Sequence, residues 1–156
     1  MSYWRSSRTT PTLTPDVVSY SSAIAACATD GQWEVACRLL YRMRSKGGVS
    51  PNEFSYGSAI AACEARGEWV RAVQLLQEME EAGCAPSVVA YSSAISACAK
   101  GGAWQRALRL LLRMPIVGVT PNTVAYNSAI SACARAGEWR AAFALLQRMR
   151  GAAAMG

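Results

Sequence analysis

The sequence predicts an all-α chain, a right-handed α-solenoid of antiparallel helix pairs with about eight helices and no β-strand. Three observations predict it. The line AYSSAISACAKGGAWQRAL, which begins at Ala90, is written four times with small changes. Tyr20, Tyr56, Tyr91 and Tyr126 stand 36, 35 and 35 residues apart. Trp33, Trp69, Trp104 and Trp139, Cys27, Cys63, Cys98 and Cys133, and Pro15, Pro51, Pro86 and Pro121 keep the same step. A fixed period of this size means stacked modules and not one globular core. Alanine and leucine dominate the apolar 52% of the 156 residues, which favours helix over strand.

The lead-in over 1–16, MSYWRSSRTTPTLTPD, is rich in Ser, Thr and Pro and has no helical stripe. It reads as a disordered or partly ordered segment. Arg5 and Arg8, with no acid before Asp16, also fit the stub of an organelle-targeting sequence. The first repeat, 17–52, has one extra residue, placed at Gly47-Gly48 in its closing loop. The second, 53–87, carries six glutamates against Arg66 and Arg71.

The third repeat, 88–122, shows how a module is built. Tyr91, Ala94, Ile95 and Cys98 recur at i, i+3, i+4 and i+7, one face of a helix. Gly101 and Gly102 stop that helix through the left-handed conformation glycine tolerates. Trp104, Ala107, Leu108, Leu111 and Met114 form a second stripe, with Arg106, Arg109 and Arg113 between them facing water. Gly118 and Pro121 close the module. Pro115 lacks a donor and clashes with the preceding turn, so this second helix is expected to kink or end about a turn early. The fourth repeat, 123–156, ends in RGAAAMG, which trails off after its second helix. Its outer face is expected to be apolar and exposed, as in a piece of a longer array. No helix of such a pair is long enough to stand alone in water, so each pair must lean on the next.

Composition narrows the function. The chain has no histidine, which removes the commonest general base and most metal sites and counts against an enzyme. No catalytic residues, metal or cofactor are expected. Six cysteines include no C-x-x-C pair. Neighbouring helices lie ~8–10 Å apart, beyond the ~7 Å that a disulfide spans between Cα atoms. The repeated cysteines therefore read as small, reduced, buried residues of an intracellular compartment. The tryptophans, at helical spacing with Ala and Leu, read as core. Ser22, Ser58, Ser93 and Ser128 read as packing residues or as bonded back to the helix. No apolar run approaches the ~20 residues of a membrane span, so no membrane partner is expected. The net charge of +6 fits a polyanionic partner. The charge is patchy, since 88–122 holds Lys100 and three arginines and no acid.

With the pattern V-x-Y-x-S-x-I (Phe54 for Val in the second copy), a glycine, Ala, Leu-Leu and Met in register four times, and Pro-Asn closing the first and third repeats, residues 17–156 resemble the pentatricopeptide repeat, in about four repeats of its P type. The related tetratricopeptide repeat has a period of about 34 and a Leu-Gly step absent here. The resemblance implies binding of single-stranded RNA, one repeat per nucleotide, in RNA processing, stability or translation in a mitochondrion or chloroplast. It implies that Ser21 with Asn52, Gly57 with Ser87, Ser92 with Asn122, and Asn127 read base edges. It further implies that Val18, Phe54, Val89 and Val124 wedge between bases. By the same analogy Ser with Asn favours adenine and a leading Asn favours a pyrimidine, giving 5′-A-N-A-Y-3′. Gly57 has no side chain, so the second place should discriminate poorly.

The chemistry stands without the family. Short polar side chains can reach the edge of a base splayed from its stack, and a flat base gains stacking energy between apolar side chains. Lys100 and Arg135, at the ends of first helices, are the candidates for phosphate contacts. The same residues have plainer readings. Ser21, Ser92 and Asn127 suit helix starts, and Asn52 and Asn122 suit turns after proline. A scaffold that binds a protein or peptide in its concave groove is the competing function. A wall of Ser, Asn, Lys and small apolar residues favours RNA, and a broad greasy groove favours peptide. Four bases leave little after the ~4–15 kcal/mol that association costs. Binding by this chain alone is expected at a Kd on the order of micromolar or weaker, with further repeats of the same chain adding to it.

Overall fold

The computed structural model describes residues 13–46 and 48–155. Helices α1 (Val17–Asp30) and α2 (Trp33–Ser45) form the first pair, and α3 (Glu53–Ala65) and α4 (Trp69–Glu81) the second. Helices α5 (Val88–Lys100) and α6 (Trp104–Ile116) form the third, and α7 (Thr123–Arg135) and α8 (Trp139–Met155) the fourth. Among the described residues there is no strand, and no helix is long and apolar enough to cross a membrane. Most of the expected lead-in lies outside the described residues. So does Gly47, but the period steps from 36 to 35 between Lys46 and Gly48, as Lys46 matches Ala82 and Gly48 matches Gly83.

A polar residue after a proline starts each first helix. Asp16, Asn52, Ser87 and Asn122 take extended backbone, and their side chains accept from the N–H groups of Ser19, Ser55, Ala90 and Ala125. That satisfies a donor the first turn would otherwise orphan. The Ser19 N–H holds the Asp16 carboxyl below its usual range.

Between the helices of each pair the chain turns at Gly31, Gly67, Gly102 and Gly137, all left-handed. Gly101 was expected to share that role, but its φ is −86°. It is small for another reason. A Cβ there would collide with the Trp69 ring and stand 2.8 Å from the Gly67 carbonyl oxygen.

The first helices pack in a row, α1 on α3, α3 on α5 and α5 on α7. Helices α2, α4 and α6 pack on their own first helix and on the first helix of the next pair, α8 packs on α7, and no second helix packs backbone to backbone on another. The stack therefore curves around the tighter first-helix row, which becomes its inner wall. Ile24, Ile60, Ile95, Met43, Met79, Met114, Tyr56 and Tyr91 fill the core between the layers. Cys63, Cys98 and Cys133 are buried too. Burial pushes the Cys98 thiol up to about 12 and raises that of Cys133, so these sulfurs stay neutral and pack as small apolar groups.

Four expectations need correction. Helix α6 does not end early at Pro115 but closes at Ile116, in register with the end of α4. One residue from the end, proline removes only the donor to the Leu111 carbonyl, and Val119 N–H still bonds the Met114 carbonyl at 2.8 Å. Helix α8 does not trail off, because RGAAAM continues it to Met155, as the high helix propensity of alanine allows. Trp33, Trp69 and Trp104 are half-buried against the core, but Trp139 is 66% exposed with Arg140 over its ring at 5.3 Å. Trp69 lies against Gly101 at the end of α5, the first helix of the next pair, and α8 has no such cover in the structure. Finally, Arg113 does not simply face water, since it pairs with Glu80 on a neighbouring second helix, as Arg44 does with Glu78.

Candidate nucleic-acid interface

One stripe of each first helix faces the inner wall. It runs through Val18, Ser21, Ser22 and Ala25 on α1, and through Phe54, Gly57, Ser58 and Ala61 on α3. It continues as Val89, Ser92, Ser93 and Ser96 on α5, and Val124, Asn127, Ser128 and Ser131 on α7. The spacing i, i+3, i+4, i+7 puts each set on one helical face.

The second residue of every first helix is a large apolar side chain left open to solvent. Val18, Phe54, Val89 and Val124 are 66, 58, 63 and 56% exposed. Helix axes ~8–10 Å apart leave room for one flat ring between neighbours. Here Asn122, the cap of α7, meets Ser92, the fifth residue of α5, and Ser87, the cap of α5, shares a cavity with Gly57, the fifth residue of α3. Ser21, Ser92 and Asn127 do not start their helices but lie in the second turn, so the helix-start reading of them falls. Asn52, Ser87 and Asn122 are the caps themselves, not only turn residues.

The three pairs differ. Ser92 Oγ donates to Asn122 Oδ1 at 3.1 Å, and the Ala125 N–H donates to the same oxygen at 2.9 Å. Ser21 is the counterpart of Ser92, but its buried hydroxyl has no protein partner. Ser55 stands where the later repeats have Ala90 and Ala125. Its N–H donates to Asn52 Oδ1 at 2.9 Å, and its hydroxyl, which accepts from the Asn52 N–H at 2.7 Å, lies 2.8 Å from the Asn52 carbonyl and 3.1 Å from Asn52 Oδ1. Ser55 had not been singled out as a site residue, although aligning the four repeats exposes it.

At the third combination, Ser87 Oγ accepts from the Ala90 N–H at 3.1 Å, and a Cβ added to Gly57 would meet nothing within 4 Å. A cavity of about 590 Å³ opens there, lined by Phe54, Gly57, Ser58, Ser87 and Val89 and backed by Ala25, Ala28 and Ala61. Ser58 thus lines a cavity and Ser22 is exposed, so this series does not act as packing throughout.

The two candidate phosphate contacts have protein neighbours. Lys100 Nζ is 4.0 Å from Glu64 Oε1, and Arg135 Nη1 donates to the Ala99 carbonyl at 3.0 Å. Both sit where a first helix ends, a favourable place for a cation. Among the described residues no cluster of three His, Cys, Asp or Glu side chains could hold a metal ion.

Family comparison agrees with this geometry. The model described as pentatricopeptide repeat domain matches residues 48–101 and 74–135. Those described as PPR repeat family and PPR repeat match 15–65 and 124–152. No curated protein sequence matches the chain. Among solved structures, maize PPR10 superposes with a TM-score of 0.76 at 22% identity, over 95% of this chain and 21% of that one. PPR10 in complex with an 18-nt psaJ RNA element gives 0.78 at 29%, over 90% and 20%. The PPR domain of Arabidopsis thaliana protein-only RNase P 1, in complex with tRNA, gives 0.77 at 16%, over 96% and 78%. The chain spans about a fifth of the length of PPR10. Four capped helix pairs at one period, with family models matching residues 15–152 between them, establish that the chain belongs to the pentatricopeptide repeat family.

Proposed function

We propose that the inner wall holds single-stranded RNA, one nucleotide to each helix pair, with the bases seated between Val18, Phe54, Val89 and Val124. The Ser92–Asn122 pair carries this reading. Two donors take Asn122 Oδ1, so its Nδ2 is left as a donor, while Ser92 Oγ keeps lone pairs as an acceptor. An adenine edge offers the complement, an amino N–H for Ser92 and a ring nitrogen for Asn122. Guanine and uracil present carbonyl and N–H in the reverse order. Cytosine has adenine's order on a smaller ring.

The solved relatives described as complexes with an RNA element and with tRNA support the class of polymer. The wall itself supports RNA over a peptide, since outside the mainly apolar cavity at Gly57 it alternates single apolar residues with Ser, Asn and Ala. Asn127 is the fourth reader, and its second partner would come from a following pair. Lys100 contacts a phosphate, and Arg135 does so with the donors that the Ala99 carbonyl leaves free. A role in organelle RNA processing, stability or translation is part of the proposal and rests on family membership.

Titrating the chain with four-nucleotide RNAs that differ only at the third place tests the reading. Adenine should bind about tenfold more tightly than guanine there, the discrimination of one good bidentate contact. Equal affinity for all four bases would remove the claim.

A further inference from the structure

The Gly57 place differs from its neighbours in more than a missing side chain. Its back wall is small, with Ala25 and Ala28 from α1 and Gly57 and Ala61 from α3, and Asn52 and Glu53 line it beside them. In the later repeats the places of Gly57 and Ala61 hold Ser92 and Ser96, then Asn127 and Ser131. The cavity of about 590 Å³ therefore opens where the other bases would meet a polar side chain. Its rim keeps the wedge residues Phe54 and Val89 and the hydroxyls of Ser58 and Ser87.

We infer that this place accepts a purine alkylated on its Watson–Crick edge, such as N6-methyladenine, without loss of affinity, and that Gly57 sets this tolerance. The inference rests on the RNA reading above. The physical argument has two parts. A bound base held between Phe54 and Val89 directs its edge at the Gly57 backbone, and a side chain there would have nothing within 4 Å to displace. The vacancy can therefore take the added carbon in its place. The carbon also meets Ala25, Ala28 and Ala61 and not water, which for one methyl group corresponds to up to about fourfold tighter binding. At the third place the same methyl would strike the Ser92 hydroxyl, which the Asn122 amide holds in position at 3.1 Å.

The test uses the whole chain and three RNAs, AAAU unmodified, with N6-methyladenine at the second place, and with N6-methyladenine at the third. Titration followed by nuclear magnetic resonance suits weak binding. The expected order is second-place methyl equal to or up to about fourfold tighter than unmodified, and third-place methyl about tenfold weaker. Gly57→Ser, which restores the residue found in the first and third repeats, should make the second-place methyl costly relative to unmodified RNA titrated against the same variant. If second-place and third-place methyl groups weaken binding equally, or Gly57→Ser changes nothing, the inference is wrong while the RNA reading survives. If no RNA binds, both are overturned.

Discussion

Where the second and third helix pairs meet, Tyr91 donates its hydroxyl to Glu80 Oε2 at 2.6 Å, and Arg113 holds Glu80 Oε1 at 3.0 Å. These three residues clasp α4, α5 and α6 together. Where the third and fourth pairs meet, the same places hold Tyr126, Pro115 and Arg148. Proline can neither accept from the tyrosine nor pair with the arginine. The apolar core repeats across both junctions, yet the polar fastening does not. Stability in such an array is a sum of local terms, so the junction of α6 with α7 and α8 should be the weaker one.

The largest effect should follow from Tyr91→Phe. It removes a hydrogen bond to a charged acceptor while Glu80 keeps Arg113, so a loss of about 1–2 kcal/mol is expected. Urea unfolding of the two proteins measures it, and a difference near zero would make the clasp ornamental. The loss should also depend on pH. Burial, reinforced by Glu80, pushes the Tyr91 hydroxyl up to about 12. A raised pKa means that the folded chain favours the neutral hydroxyl. That advantage is complete below about pH 10, where a free tyrosine ionises, and fades as the pH climbs to about 12. The gap between the two proteins should narrow over that window.

A smaller gain should come from supplying the missing clasp. Pro115→Glu places a carboxylate between Tyr126 and Arg148 and returns an N–H for the Leu111 carbonyl. Pro115→Ala returns the N–H alone. Hydrogen exchange in α7 and α8 should slow for both, with the glutamate variant ahead by about 1 kcal/mol of local stability. If the two variants protect these helices equally, the clasp adds nothing at this junction and the contrast between the junctions lies elsewhere.

The sequence alone made the helix pairs legible, because a pair that cannot stand alone must repeat its apolar stripe at the period of the stack. It also placed Val18, Phe54, Val89 and Val124 on one recurring position, and the structure exposes all four. What it hid depends on local geometry. Ser21 and Asn52 repeat the residues of Ser92 and Asn122, yet only the later pair is bonded, and no periodicity reports which hydroxyl reaches its acceptor. Gly101 resembles a turn residue in sequence, and only the Trp69 ring lying beneath it shows that its smallness is steric. Pro115 looks like a helix breaker, but its cost depends on how many bonds remain downstream, and at the end of α6 only one is lost. The outward arginines looked solvated because their partners lie 33 and 34 residues away in sequence.

The smallest effect is also the sharpest test of what makes a clasp. At the junction of the first two pairs the charges are exchanged, so that Arg44 stands in the place of Glu80 and Glu78 in the place of Arg113. The ion pair survives this exchange at 2.9 Å. The tyrosine bond does not, because a guanidinium has no acceptor to offer, and the buried Tyr56 hydroxyl has no protein partner. Tyr56→Phe removes only that hydroxyl, so stability should be unchanged or rise by up to about 1 kcal/mol. Beside the loss expected for Tyr91→Phe, this would show that the sign of one residue on the preceding helix decides whether the repeated tyrosine fastens the array or merely fills it. A loss for Tyr56→Phe as large as that for Tyr91→Phe would mean that ring packing, and not the acceptor, sets the difference between junctions.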